Sequence, residues 1–319
     1  MYGLLCRTSP SPCRTPRLLF RHRLMLAPVL MNRCSWTNSF LSTLFIYNRN
    51  IQIGYASNSS KPILWIDAGI HAREWIAHST ALNIIWQLVH DSSYKTLLSQ
   101  MDIIVVPNTN PDGYEYSRRT NRLWRKTRSK LSVSRYSDQC SGVDANRNYP
   151  FHFGEEGVSH WPCQEIYCGP RAMSEPEVMG VATAIMKKKN ETKGYIALHS
   201  FGQDILYPWG HKAHEYPPDV EDLKTMANGI AAAIRTVYGT KYKVSNSADG
   251  LYPASGAADD WAKSIGIKYS FTFELSPTSE PGFVLPEAHI ARVSREIMEG
   301  RKGTGSSGKV NIDANRLES

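Results

Sequence analysis

The stretch that most constrains this chain is Ile63-Leu64-Trp65-Ile66-Asp67-Ala68-Gly69-Ile70-His71-Ala72-Arg73-Glu74-Trp75. From Ile63 to Ala68 it is a continuous apolar run with one acid near its end, the pattern of a strand covered on both faces. Such a strand needs helices above and below it, which points to a layered α/β architecture. A histidine and a glutamate follow at once, three residues apart, where the spacing predicts the start of a helix over Trp75–Val89. At that separation an imidazole and a carboxylate lie on one side of a helical turn and can reach a single cation. Alone, the pair is a common pattern and carries no more than a hypothesis.

Further along, Ile103–Val106 reads as a second buried strand, closed by a turn-rich segment from Pro107 to Gly113. Ser174-Glu175-Pro176-Glu177 reads as a capping box opening a helix to about Lys189. Tyr195–Leu198 is a third strand with His199 at its end, and Lys268–Leu275 is an aromatic, β-branched strand that carries Glu274. Helices are expected over Val220–Tyr238 and Ala288–Glu299, and Phe40–Tyr47 can supply one more short strand. Strands alternating with helices imply a mixed, mostly parallel central sheet with helices on both faces. His71, His199 and Glu274 then fall at strand ends, where open α/β sheets assemble their sites.

A formal charge of +8 on 319 residues first suggests a nucleic-acid or membrane partner. Its distribution removes that reading. Residues 1–66 hold Arg7, Arg14, Arg17, Arg21, Arg23, Arg33, Arg49 and Lys61 and no acid, which leaves 29 basic against 29 acidic residues from Asp67 onward. The basicity belongs to a leader, so no nucleic-acid partner is expected for the body. No apolar run is long enough to span a bilayer, and stable membrane insertion is not expected. Residues 1–50 read as an atypical basic leader, 51–299 as the folded domain, and 300–319 as a Gly/Ser/Lys-rich disordered tail. None of the six cysteines forms a Cys-x-x-Cys pair, which argues against a zinc finger or a thioredoxin-type site.

Five ordered blocks carry a resemblance. They are Gly69–Trp75; Asn121–Arg128; Val143–Asn148; Leu198-His199-Ser200; and Leu251–Trp261 together with Phe271–Leu275. In their order and spacing they resemble the zinc metallocarboxypeptidases of the carboxypeptidase A/B family over roughly residues 60–299, a family whose sheet has about eight strands. The resemblance implies that His71, Glu74 and His199 hold one Zn²⁺ per chain, with a coordination position left for water. It makes Glu274 the general base and Arg125 the partner of the oxyanion. Arg147 and Asn146 become the clamp for the substrate's free α-carboxylate, Tyr252 the residue that closes over it, and Arg73 a secondary substrate contact. Tyr252 lies in a Gly/Ser/Ala-rich stretch, 248–258, that reads as flexible. Asp259, seven residues beyond Tyr252, falls at the base of the specificity pocket. A carboxylate there selects C-terminal Lys or Arg, with Ser247 and Gly210 as small wall residues and Asp260 as a structural neighbour.

The resemblance also implies a Cys140–Cys163 disulfide, hence an oxidising compartment and secretion, and a monomer acting on peptide or protein C-termini. The sequons Asn58-Ser59-Ser60 and Asn190-Glu191-Thr192 are compatible with secretion. The chain departs from the pattern in several places. No prodomain is recognisable, the start of the catalytic domain before about residue 51 does not match, and Gly300 cuts the last helix short. Phe201 stands where a tyrosine is usual, Ser276-Pro277 replaces an Arg-Asp pair, and Gly154 replaces the partner of Cys168. Three other readings compete: A-type cleavage of apolar C-termini, a truncated relative that binds zinc or peptide ends without turnover, and an arginine-rich leader that acts as an RNA or membrane tether.

Overall fold

The structure is a computed structural model that describes residues 50–130, 140–278 and 282–299. Most of the basic leader, the proposed Phe40–Tyr47 strand and the tail from Gly300 lie outside those residues. Seven strands form one sheet among the described residues: β1 (Ile51–Ile53), β2 (Ile63–Ala68), β3 (Asp102–Val106), β4 (Thr192–Ser200), β5 (Asp204–Tyr207), β6 (Lys243–Asn246) and β7 (Tyr269–Leu275). Their spatial order is β1-β3-β2-β4-β7-β5-β6. The four central strands are parallel, β1 joins β3 antiparallel, and β5 runs antiparallel to β7 with β6 parallel beside it. Among the described residues eight α-helices accompany the sheet: α1 (Trp75–His90), α2 (Lys95–Gln100), α3 (Pro111–Arg119), α4 (Pro176–Lys187), α5 (Val220–Tyr238), α6 (Ser247–Gly250), α7 (Ala258–Ser264) and α8 (Ala288–Glu299).

Side chains alternate across β2, so its apolar run divides between two cores. Leu64 and Ile66 pack with Ile76, Ala81 and Ile84 of α1, Leu223 and Met226 of α5, and Val293 of α8. Ile63 and Trp65 face the other way, against Val178, Val181 and Ile185 of α4 and Trp261 of α7. All six residues of β2 are buried, as the unbroken hydrophobic run requires. Each large apolar side chain so buried contributes about 1.5–3 kcal/mol before entropy is counted. The strand that leads to His71 is therefore held rigidly from both sides.

Several local expectations need correcting. His71 and Glu74 do not sit on the helix: α1 opens at Trp75, Glu74 is its N-cap, and the Glu74 amide closes a turn onto the His71 carbonyl at 3.3 Å. Ser174-Glu175-Pro176-Glu177 is not a capping box. Its N-cap is Glu175, without a side-chain cap bond, while the Ser174 hydroxyl donates to Glu175 Oε1 at 2.9 Å. Pro176 does hold the first turn, as expected. The turn-rich run ending at Gly113 becomes the start of α3, because Asn110 accepts from the Gly113 amide at 2.9 Å and Pro111 follows as the first helical residue. The stretch around Tyr252 is also more ordered in form than its composition suggests. Asn246 caps α6 through Ala248 and Asp249, and Ser255 to Asp260 are buried, which leaves Leu251 and Tyr252 projecting.

Cys140 and Cys163 are joined, closing a loop of 23 residues, and Cys168 is free and buried. His160 fills the space beside it: its Nδ1 lies 3.7 Å from Cys168 Sγ, and a side chain at Gly154 would meet the ring at 3.3 Å. A loop of this size is expected to contribute about 3 kcal/mol. The Cys140→Ser/Cys163→Ser protein should therefore lose about 3 kcal/mol in urea denaturation, and reduction of the parent should do the same. An unchanged midpoint would mean the crosslink adds nothing.

Candidate metal centre and cleft

Three neighbouring parallel strands, β2, β4 and β7, bring the site together. His71 and Glu74 follow β2, His199 lies near the end of β4, and Glu274 on β7 is its register partner. His71 Nδ1 is 2.8 Å from Glu74 Oε1 and 3.2 Å from His199 Nδ1, while Glu74 Oε2 is 3.1 Å from His199 Nδ1. Ligand atoms of these three buried residues all lie within 4.8 Å of one another. Among the described residues no other group of three such side chains converges in this way.

The donor chemistry tests whether a cation fits. His71 Nε2 faces Asp144 Oδ1 at 3.1 Å, and a carboxylate there fixes the proton on Nε2. Nδ1 then offers a lone pair toward a carboxylate oxygen and a second imidazole nitrogen. Burial also pushes the His71 imidazole below its ordinary value, so a second proton on the ring is disfavoured. Against the cost of burial, Glu74 holds the His199 imidazole up at about 9, and the proton they share is what a divalent ion bound by the three groups would displace. The set of two imidazoles and one carboxylate is that of an open catalytic zinc site.

Asp144, to which the sequence reading gave no role, is the most connected group here. It is completely buried and accepts from the Asn146 amide at 3.0 Å. Its Oδ2 takes two bonds from the Arg125 guanidinium, from Nε at 2.9 Å and from the terminal nitrogen at 2.8 Å. Although burial works against it, Arg125 and then His71 hold its carboxyl well below the usual range. Arg125 is thus buried and paired, not a solvated loop charge. The only sequence signal for Asp144 was its place inside the Val143–Asn148 block.

Arg73, Arg125, Arg147 and Tyr252 line one cleft of about 600 Å³, together with Glu156, Gly157, Glu165, Ile166 and Pro253. Arg147 is buried, donating from Nε to the Gly157 carbonyl at 2.9 Å and from a terminal nitrogen to the Asn146 carbonyl at 2.8 Å, with Tyr252 beside it. Tyr252 itself is 57% exposed at the mouth. Arg73 pairs with Glu165 at 2.7 Å and lies over the Phe283 ring. Asn146 spends its Oδ1 on the Ala258 amide at 2.9 Å, so it also anchors the start of α7. Glu274 and Asp259 do not line this cleft. Burial, partly opposed by His199, raises the Glu274 carboxyl to about 8. Asp259 is buried at the N-terminus of α7 with Ser247 Oγ at 3.4 Å, and burial together with Asp260 raises it to about 7. Among the described residues no lysine or arginine pairs with it. A Cβ on Gly210 would come within 3.0 Å of Ser247 Cβ, which puts both small residues on one wall.

The family model described as zinc carboxypeptidase matches residues 35–300. Carboxypeptidase B of Astacus astacus is 43% identical over 246 residues, 76% of this chain and 80% of that protein. Carboxypeptidase A2 of Rattus norvegicus is also 43% identical, over 252 residues, but the chain spans only 59% of its length. Bovine thrombin-activatable fibrinolysis inhibitor, solved in complex with a tick carboxypeptidase inhibitor, aligns at 34% identity with a TM-score of 0.74, covering 85% of this chain and 86% of that one. No helix among the described residues is long and apolar enough to cross a membrane. The chain belongs to the zinc carboxypeptidase family of metallopeptidases.

Proposed function

We propose that this protein is a zinc-dependent exopeptidase that hydrolyses the C-terminal peptide bond of peptides or proteins ending in Lys or Arg. The observation that carries the reaction class is the convergence of His71, Glu74 and His199 beside a cleft lined by three guanidinium groups. Zinc held by those three side chains would supply a Lewis acid and a water of pKa about 7. Every other part of the reaction falls to the chain. Arg147, supported by Asn146, binds the substrate's α-carboxylate and sets which bond lies at the centre. Tyr252 closes over that terminus, and Arg73 contacts residues upstream. Arg125, oriented by Asp144, donates to the carbonyl oxygen as it gains charge, a type of interaction worth about 3–4 kcal/mol. Glu274 takes the proton of the attacking water and returns it to the leaving amine. A carboxyl raised toward neutrality suits both halves of that transfer.

Asp259 supports the basic preference. A buried carboxylate without a cationic partner is costly, and a substrate ammonium or guanidinium would complete it. The competing reading is A-type cleavage, favoured by the equal similarity to a carboxypeptidase A2. Secretion fits the Cys140–Cys163 disulfide. A monomer and a domain confined to about 51–299 complete the proposal.

Three measurements decide it. Zinc added to chelated protein should raise its melting temperature in proportion to the logarithm of free metal, and His71→Ala should abolish that shift. Equal shifts in both proteins would place the metal elsewhere. Glu274→Gln should lower kcat by about 10²–10⁴-fold with little change in KM. Because the base must be ionised, activity should fall as pH drops, about tenfold per unit below the operative pKa; a neighbouring cation lowers that pKa from 8, so the midpoint lies on the acid side of it. A profile flat to about pH 4 would exclude Glu274 as the base. Asp259→Ala should cost about 2–5 kcal/mol in kcat/KM for C-terminal Arg and leave C-terminal Phe unharmed or improved. Faster release of Phe than Arg by the parent would replace the basic reading with the A-type one.

A further inference from the structure

Next to Gly210, a small residue of the proposed specificity pocket, lies a titratable group that the reaction does not use. His211 is buried, and its ring lies between two carboxylates: Nε2 is 3.1 Å from Glu215 Oε2 and Nδ1 is 3.5 Å from Asp260 Oδ2. His152 stacks on one face of the ring at 3.8 Å between centroids, and Phe151 meets it edge-on. The other charged group of this turn, Lys212, takes the second oxygen of Glu215 at 2.8 Å, while His152 is itself paired with Glu155. Asp260 also accepts from the amides of Gly210 and His211, which fastens this loop to the start of α7. Gly210 in turn receives the Ala254 amide at 2.7 Å, two residues from Tyr252.

Asp259 and Asp260 are thus adjacent buried carboxylates, and burial, followed by the charge of Asp260, makes Asp259 resist ionisation. We propose that His211 is a positioning residue of the specificity pocket: held between Asp260 and Glu215 as an imidazolium, it balances the charge of Asp260, so that Asp259 remains the anion that meets a cationic substrate side chain. The inference rests on the basic-specificity reading above. Geometry makes it directional. The imidazolium lies on the Asp260 side and does not contact Asp259, so it offsets the repelling charge without competing for the substrate. Burial works against the charge, but its two carboxylate partners hold His211 above the ordinary histidine value, so they favour the cation, which is lost as pH rises.

Steady-state kinetics with paired peptides ending in Arg and in Phe test this, with Asp259→Ala as the control for specificity itself. His211→Phe should raise KM for the Arg peptide about tenfold, leave its kcat within about twofold, and leave KM for the Phe peptide unchanged. His211→Lys should restore most of the loss by returning a cation. In the parent protein, KM for the Arg peptide should fall as pH rises through the Asp259 value of about 7, with KM for Phe flat throughout. The His211→Phe defect should be largest near neutrality and close at alkaline pH, where Asp259 ionises unaided. Glu215→Gln, at a partly exposed position, removes one partner of the imidazolium and should raise the Arg KM in the same direction, which decides the matter if the His211 variants do not fold. Equal losses on both peptides would show a merely structural role, and an Arg KM unchanged at neutral pH, or a defect that persists undiminished at alkaline pH, would also overturn the proposal. An Arg preference that depends on Asp259 but not on His211 sinks this inference alone. No Arg preference in the parent sinks the specificity reading and this inference together.

Discussion

The site depends on one buried carboxylate. Asp144 has no contact with solvent, and an ionised carboxyl in that position would cost several kcal/mol if left unpaired. It is offset by the Asn146 amide, by the Arg125 guanidinium and by His71 Nε2. Those three partners belong to separate segments of the chain, each carrying part of the proposed machinery. The same oxygen pair that sets the His71 tautomer also aims Arg125, so the proposed metal ligand and the proposed oxyanion donor are oriented by a single group. Without Asp144, Arg125 would be a buried charge with no counter-ion and His71 would be free to present either nitrogen. Its place at the N-cap of the short turn Ala145–Arg147 extends the arrangement to the carboxylate clamp.

The sheet explains why such separate segments meet. β2, β4 and β7 are neighbours and parallel, so residues at their ends are delivered to one edge with the spacing of adjacent strands. Glu74 is additionally placed at the N-terminus of α1, where the helix favours its ionised form. Burial of β2 on both faces matters for chemistry as well as stability. Leu64 and Ile66 on one side and Ile63 and Trp65 on the other hold the strand against rotation, and the turn to His71 inherits that rigidity.

Much of this was legible in the sequence, and the gaps have physical causes. β2 could be read because burial on both faces leaves no polar positions to blur the pattern. α5 was read at Val220–Tyr238 because its apolar face repeats cleanly and Gly239, at φ 75°, ends it. β5 and β6 were missed because four residues at the antiparallel end of the sheet hold too little pattern to separate from a loop. α3 was missed because asparagine and proline before a helix are the residues that also build turns. Ser174-Glu175-Pro176-Glu177 misled because its serine bonds sideways to Glu175, whose amide is taken by Asn148 from a distant loop. Asp144 could not be assigned from the chain alone. Its importance lies in contacts with residues 19 and 73 positions away, and no local pattern encodes them.

The division of charge within the site accounts for what overall similarity leaves open. Relatives called carboxypeptidase B and carboxypeptidase A2 are equally identical to this chain, so the features common to both cannot decide between them. The residues that would hold metal, shuttle the proton and bind the terminal carboxylate concern the peptide backbone, which every C-terminus shares. In the proposed reading only the wall around Asp259 meets the side chain. There the relevant quantity is the balance among Asp259, Asp260 and the groups around them. Asp260 is occupied by two backbone amides and faced by His211, whereas Asp259 has hydroxyl neighbours and no lysine or arginine among the described residues. An apolar side chain entering that space would leave Asp259 either protonated or buried as a bare anion. A cationic one would remove the penalty, so in the proposed reading preference is set by which substrate relieves the desolvated carboxylate.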